Sequence, residues 1–231
     1  MSTRHTLVCL PPVSYADWPA ATGQAVEPHD YFIESWTFDG RYASHFLTRP
    51  QGAQTPSRMQ AGRADHPWCG GGPRYTLDFV AMRDLRGREA AELYDAWTTA
   101  TAGMPPAQHL SSFLATHPGD PYSARQGFQA QPQLQVLAEL SVPRSARHLD
   151  AEASALVRLD RGTFIERARQ HAVPGDSLLT LDGSFYTSPA FINADDADET
   201  ETTQYLSLVN GYLDGLPPEH VVVGIDCRDA T

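Results

Sequence analysis

One short stretch of the sequence collects four side chains that could bind or transform a small molecule: Trp36, Asp39, Arg41 and His45. They supply an aromatic platform, a carboxylate, a guanidinium and a titratable imidazole. Arg41 and His45 have the same parity, so a β-strand would place both on one face of a sheet. In the alternative interpretation, which we favour, Trp36 belongs to the core, Asp39 serves a turn and the other two are solvated.

A glycine run at 70–72, followed by Pro73 and Arg74, is a second candidate site. Its backbone N–H groups could face an anion, and Arg74 would add a fixed charge. No strand is predicted before the run, as a dinucleotide fingerprint requires, so we prefer a plain joint between a loop and a helix. Asp182 and Asp226, near predicted strand ends, complete the candidate ligand or partner surface.

The metal-ligand and nucleophile patterns are weak. His66 and Cys69 have a spacing that suits one edge of a zinc site, but no second pair follows. The acidic stretch 195–201 lacks the spacing of a calcium loop and is better explained as a run that precedes a helix.

No G-x-S-x-G elbow occurs, and all 17 basic residues are arginine, which excludes a lysine Schiff base and a Walker-type phosphate loop. We expect no metal and no cofactor, and leave enzymatic activity open while leaning against it.

The charge balance bears on the partner. The chain of 231 residues has 28 acidic and 17 basic side chains, a formal net charge of -11. A nucleic-acid surface needs cations that displace counterions, so we expect a protein partner and no direct nucleic-acid binding. We also predict no membrane-spanning segment, and three widely separated cysteines with no leader pattern favour the cytoplasm. The sequence leaves the oligomeric state open.

The elements that must position these residues follow an α+β pattern. Asp-Gly pairs at 39–40 and 182–183 predict two hairpins, and a Pro- and Gly-rich segment at about 48–74 predicts a long surface loop. Helical spacing predicts a helical middle segment that begins with a long helix over about 75–101. We therefore predict one domain over 1–231, with a mixed or antiparallel sheet of about six strands on which that segment packs. The strands are predicted at 5–10, 31–38, 41–47, 178–181, 184–186 and 221–226.

Several motifs resemble an uncharacterised protein family of actinobacteria, their phages and mobile elements. They are W-T-F-D-G-R-Y at 36–42, G-G-P-R-Y-T-L-D-F-V-A-M-R-D at 71–84, A-A-E-L-Y-D at 90–95, the segment 172–183 ending in L-L-T-L-D-G, and G-I-D-C-R at 224–228. Asp39 and Tyr42 depart from the family pattern, which has glycine and tryptophan there. The resemblance implies one domain throughout and a phage or mobile-element origin, and it supplies no catalytic residues.

Three classes of function follow from these observations. The first is an acidic binding or regulatory protein, of phage or mobile-element origin, that engages a host factor or acts in defence. The second is an enzyme acting on a small molecule or nucleotide near the hairpin Trp36–His45 and the loop Gly70–Arg74. The third is a structural accessory protein of a larger assembly. We expect the first.

Overall fold

The computed structural model describes residues 3–31, 33–38, 45–49, 59–60, 68–140, 153–192 and 199–229. The chain divides into two units. The first comprises Met1–Arg83 with Gln170–Thr231, and the second comprises Asp84–Arg169. Two units can share one folding domain, so a single domain over 1–231 stays a prediction.

The first unit is built on one mixed sheet of eight described strands in the order β3-β5-β8-β1-β6-β7, with β2 also paired to β8 and β4 to β5. The sheet is mostly antiparallel, and β1 and β6 form the parallel pair. The predicted α+β class is therefore confirmed. The strands are β1 (Thr3–Leu10), β2 (Ile33–Thr37), β3 (Phe46–Leu47), β4 (Met59–Gln60), β5 (Trp68–Pro73), β6 (Ser177–Leu179), β7 (Phe185–Thr187) and β8 (Val221–Asp229).

Strands β1 and β8 form the centre of the sheet. They pair in antiparallel register from Thr3 opposite Arg228 to Leu10 opposite Val221. Both are rich in β-branched and other apolar residues, and almost every position is buried because helices cover both faces. The pairing of β1 with β8 is the longest in the sheet, and the other strands pair on either side of it.

The helices were largely anticipated by the spacing of apolar residues. The predicted long helix is observed as α2, and Asp78 caps it by accepting a hydrogen bond from the Ala81 backbone N–H at 3.0 Å. No helix in the described part of the chain is long and apolar enough to cross a membrane. The helices are α1 (Trp18–Val26), α2 (Phe79–Ala100), α3 (Leu110–Thr116), α4 (Pro121–Gln129), α5 (Pro132–Leu140), α6 (described over 153–158), α7 (Arg161–Gln170), α8 (Pro189–Ile192) and α9 (Glu199–Gly215).

Alternation along the strands gives the sheet two differently covered faces. On one, which we call the α1 face, Trp18 and Val26 of α1 pack over strand residues such as Val8. On the other, the α9 face, α9 and the start of α2 cover Leu7, Cys9, Leu178 and Val222 among others. Successive residues of a strand therefore enter different environments. Arg4 points to the α1 face and His5 to the α9 face.

The second unit has a separate helical core. Trp97 of α2, Phe128 of α4, Leu137 of α5 and Phe164 of α7 are buried together. The Trp97 indole N–H donates a hydrogen bond to the Gln133 carbonyl at 3.1 Å. This unit is held by apolar packing between helices rather than by a sheet.

The predicted loop at 48–74 is wrong over 59–60, which form β4, and over 68–73, which form β5 and pair with the central strand β8. A Cβ at position 71 would lie 2.6 Å from the Val222 carbonyl oxygen and 2.8 Å from the Val223 Cα. The glycine run therefore serves close approach between two backbones, a use of glycine that looks like a loop in sequence. Most of the remaining segment lies outside the described residues.

The two predicted Asp-Gly hairpins have different outcomes. The second is confirmed: β6 and β7 pair around a turn in which Gly183 has a φ of 80°. Asp39 and Gly40 lie outside the described residues. In the described part of their flanks, β2 pairs with β8 and β3 pairs with β5, so pairing between the two flanking strands is not confirmed.

Candidate functional site

An open pocket of about 380 Å³ lies on the α1 face of the first unit, at the edge where β1 begins. Three elements line it. Strand β1 contributes Arg4, β7 contributes Phe185 and Thr187, and the segment after α1 contributes His29 and Tyr31. The pocket therefore combines a guanidinium, two hydroxyls and three aromatic rings, one of which is an imidazole.

Arg4 is the charged wall of this pocket. It is 6% exposed, because strand alternation turns its side chain onto the covered α1 face. Its Cζ lies 5.1 Å from the centre of the Phe185 ring and 5.5 Å from that of Phe191. Cation–π contacts of this kind hold a guanidinium flat and oriented.

The hydroxyl of Thr187 is placed beside that guanidinium. Arg4 Nη1 donates a hydrogen bond to Thr187 Oγ1 at 3.4 Å, and Ser177 Oγ donates to the same oxygen at 3.4 Å. An oxygen that accepts twice still has its own proton to donate. The Thr187 hydroxyl can therefore still donate a hydrogen bond to a further oxygen.

The aromatic side of the pocket is formed by Phe185, His29 and Tyr31. The His29 ring lies 5.3 Å from the Phe185 ring, at an interplanar angle of 38°. Tyr31 is 75% exposed, although it lines the pocket. Most of the Tyr31 side chain is therefore in contact with solvent at the rim of the pocket.

The opposite face of the sheet holds a buried polar cluster around His5, which is 2% exposed. The His45 ring lies 4.6 Å from the His5 ring, and Asp226 is the register partner of His5 across β1 and β8. His45 Nε2 donates a hydrogen bond to the Val173 carbonyl at 2.8 Å, since a carbonyl can only accept. The His5 backbone N–H donates to Asp176 Oδ2 at 2.8 Å.

Burial sets the protonation of this cluster. Desolvation, and then the neighbouring His45, hold the pKa of His5 well below its ordinary range, against a backbone hydrogen bond to Ile225 that raises it. Tyr205 donates from its hydroxyl to the Gly175 carbonyl at 2.9 Å, and burial together with the charge of Asp176 raises its pKa. Both side chains are neutral at pH 7. Histidine and carboxylate are residues of proton transfer, but His5 is closed to solvent.

Glycines make room for the His5 ring. A Cβ at Gly224 would lie 2.8 Å from His5 Cε1, and a Cβ at Gly175 would lie 2.9 Å from His5 Cδ2. The imidazole thus fills a space that two flanking glycines leave open. This close fit gives the buried cluster a role in packing.

Two of the predicted site residues lie near His5: His45 contacts it ring to ring, and Asp226 is its register partner in β8. Trp36 lies on the α1 face instead, where its ring meets Phe38 edge-on at 5.2 Å. Asp39 and Arg41 lie outside the described residues. The predicted surface is therefore not one site in the described part of the chain.

Arg74 and Asp182 have local roles. Arg74 Nε donates to the Leu213 carbonyl near the end of α9 at 2.9 Å, and its Cζ lies 4.2 Å from the Phe79 ring. Burial lowers the pKa of Arg74, and the charge of Asp214 counteracts this. Asp182 accepts hydrogen bonds from Thr180 and Ser184 within the β6–β7 turn, and its pKa is lowered first by the Thr180 hydroxyl.

The structure describes one of the two weak candidate metal ligands, Cys69. His66 lies outside the described residues, and Cys69 is buried within β5 opposite Phe46. Among the described residues no group of three histidine, cysteine, aspartate or glutamate side chains could hold a metal ion. Cys69 therefore contributes to the core of the α9 face.

The sequence interpretation did not identify the pocket residues Arg4, His29, Tyr31, Phe185 and Thr187. One signal was present, because Arg4 directly precedes the predicted strand at 5–10, which ends in four apolar residues. A charged side chain is rarely buried unless it is paired. Phe185 and Thr187 lie in the three-residue strand β7, and the sequence does not reveal that this strand lies beside Arg4. The chain matches no protein family, no curated protein and no solved structure.

Proposed function

We propose that the chain is a binding protein for a small anionic molecule, which the Arg4 pocket holds. The observation that carries the proposal is a guanidinium only 6% exposed in the wall of an open pocket of about 380 Å³. Small-molecule sites are typically concave, mostly apolar and equipped with a few placed polar groups. A guanidinium recognises carboxylates and phosphates through charge-assisted hydrogen bonds.

Binding is a better interpretation than catalysis. The groups in the described lining that offer hydrogen bonds are a guanidinium, an imidazole and two hydroxyls, and donors of this kind recognise an anion. The histidine–carboxylate grouping around His5 belongs to the other face of the sheet, and His5 itself is only 2% exposed. Recognition needs a site of this composition, whereas general acid–base chemistry needs an accessible titratable pair.

Calorimetric titration with benzoate, inorganic phosphate and acetate tests this proposal. We expect saturable binding of at least one anion, weakened about tenfold or more in Arg4→Met, because charge-assisted hydrogen bonds contribute about 1.5–3 kcal/mol. Arg88→Met is the matched control, since Arg88 is exposed on α2 in the second unit. Absence of binding for all three anions, or equal losses in both variants, would overturn the proposal.

A second candidate function is regulation of a basic protein partner, favoured by the formal net charge of -11. In this interpretation the protein is cytoplasmic, since none of Cys9, Cys69 and Cys227 is in a disulfide, and it engages a host factor. Its test is association with an arginine-rich peptide at about 50 and about 500 mM salt. Salt-sensitive binding supports this function, and salt-insensitive or absent binding contradicts it.

A further inference from the structure

We infer that the edge of the sheet where β1, β5 and β6 end and β8 begins is a docking surface for a basic protein segment that also has apolar side chains. This inference rests on the second candidate function and adds the surface that the basic partner contacts. Three features carry it: the alignment of exposed apolar side chains, their rigidity and the charge around them. We call this surface the proline edge, and it comprises Pro11, Pro12, Tyr75, Leu181, Pro217 and Pro218.

Four neighbouring strands meet at the proline edge. In the order of the sheet, β5, β8, β1 and β6 follow one another, and β1 and β6 are parallel. Leu10 and Pro73 are both register partners of Val221, so the segments just beyond these strand ends lie side by side. They span about 15 Å at the usual spacing between strands. The Tyr75 backbone N–H donates a hydrogen bond to the Pro218 carbonyl at 3.1 Å, which ties two of these segments together.

The side chains of the proline edge are apolar, exposed and rigidly held. Tyr75 is 44% exposed and Leu181 is 39% exposed, and the proline pairs at 11–12 and 217–218 are exposed as well. Exposed apolar surface bordered by polar groups marks interaction sites. Proline fixes its own backbone, and the Leu181 N–H donates to the Tyr212 hydroxyl at 2.8 Å. The surface is therefore preformed, which reduces the ordering cost of binding.

The charge that the proline edge presents to solvent is negative. Asp182 and Glu219 are exposed and directly follow Leu181 and Pro218. A hydrogen bond from the Thr180 hydroxyl lowers the pKa of Asp182, so this carboxylate is ionised at neutral pH. The arginine of this edge, Arg74, has a side chain that is 14% exposed, and it points inwards to the Leu213 carbonyl.

This charge selects the occupant of the apolar surface. A second copy of the chain in a symmetric contact would place the same carboxylates against each other. Nucleic acids and the cytoplasmic membrane surface are themselves anionic. The first unit contains more than twice as many acidic as basic residues, so such partners are repelled by the whole unit as well. A protein segment that combines arginine or lysine with aromatic side chains matches both the carboxylates and the apolar row.

The experiment measures fluorescence anisotropy of a labelled synthetic peptide in which arginine and tryptophan alternate. Two comparison peptides have glutamine in place of arginine or serine in place of tryptophan. We expect the parent peptide to bind most tightly and each comparison peptide to bind about fivefold more weakly or worse, because charge and apolar contact both contribute. A glutamine peptide that binds as tightly as the parent would overturn the choice of a basic partner.

Two variants of the proline edge have matched controls in the second unit. Tyr75→Ala and Glu219→Arg are each expected to weaken the parent peptide about fivefold. Tyr122→Ala and Glu92→Arg make the same changes at exposed positions of α4 and α2, and they should leave its affinity unchanged. Circular dichroism checks the fold, and Glu219→Arg changes an exposed turn residue, so it remains informative if Tyr75→Ala does not fold.

The outcomes separate this surface from the function on which it rests. Unchanged affinity in Tyr75→Ala and Glu219→Arg, or equal losses in the two control variants, would overturn the assignment of the surface while the basic partner stands. Failure of the parent peptide to bind would overturn the second candidate function itself. Dimers seen by sedimentation velocity and abolished by Tyr75→Ala would show that the proline edge binds a second copy, contrary to the inference.

Discussion

Replacing Gly71 by alanine is expected to destabilise the sheet of the first unit. Gly71 of β5 pairs with Val223 of β8, and a new Cβ there would lie 2.6 Å from the Val222 carbonyl oxygen and 2.8 Å from the Val223 Cα. Both atoms belong to backbone rather than to a flexible side-chain end. Strand β8 is held on its other side by the full register with β1, so it cannot move away without loss of that ladder.

The magnitude follows from two opposing effects. Overpacking in a filled interior costs about 1–3 kcal/mol, and the upper part of this range applies because backbone must move. The lower entropy of the unfolded alanine chain offsets about 0.4–1 kcal/mol. The free energy of unfolding is therefore expected to fall by about 2 kcal/mol, which lowers Tm by about 4–8 °C in a chain of this size.

Urea and thermal unfolding followed by circular dichroism measure this change, with Gly211→Ala as the matched control. Gly211 is exposed within α9, and a Cβ there meets nothing within 4 Å. Alanine favours a helix interior by about 1 kcal/mol over glycine, so this control should be more stable than the wild type. A Gly71→Ala protein as stable as the wild type, or two variants that change in the same direction, would refute the close-approach account of β5.

Three further predictions concern individual side chains. The pKa of His5 in the folded state lies below its ordinary value of 6.5, so the unfolded state binds more protons than the folded state as pH falls below 6.5. The free energy of unfolding should therefore decrease by about 1 kcal/mol for each pH unit below 6.5. Urea unfolding at several pH values should show that His5→Asn loses less stability than the wild type as pH falls. Equal slopes of the free energy of unfolding against pH in the two proteins would contradict this. Arg74→Met should lower the free energy of unfolding by about 1–3 kcal/mol, because the Leu213 carbonyl loses its donor, and no change in urea midpoint would refute this. Trp97→Phe should lower the free energy of unfolding of the second unit by about 1–2 kcal/mol, because the Gln133 carbonyl loses its hydrogen bond. Backbone amide hydrogen-exchange rates in this unit equal to those of the wild type would contradict this.

The fold could be predicted where one segment contains its own signal. The turn at Asp182 and Gly183 sets the β6–β7 hairpin through side-chain hydrogen bonds and a left-handed glycine, and both are local. Strand β8 and helix α2 follow equally from runs of apolar residues. These elements need no knowledge of distant partners.

The rest depended on contacts between distant parts of the chain. Glycines 70–72 have the composition of a loop, and only the approach of β8 shows that they form a strand. The candidate site had the same limitation, because Arg4 and Thr187 are 183 positions apart and meet through the sheet. His45 and Asp226 are candidates from the sequence, but His5, which contacts the His45 ring and is the register partner of Asp226, carries no motif.

Ligand binding at Arg4 is tested most directly by a ¹H–¹⁵N NMR titration of the full chain with benzoate, observing the Arg4 Nε–Hε group and the Thr187 backbone amide. We expect both signals to shift and saturate with one common affinity, while the Trp97 indole N–H of the second unit stays in place. Saturable shifts confined to signals away from Arg4, Thr187 and Phe185 would contradict a binding site in this pocket.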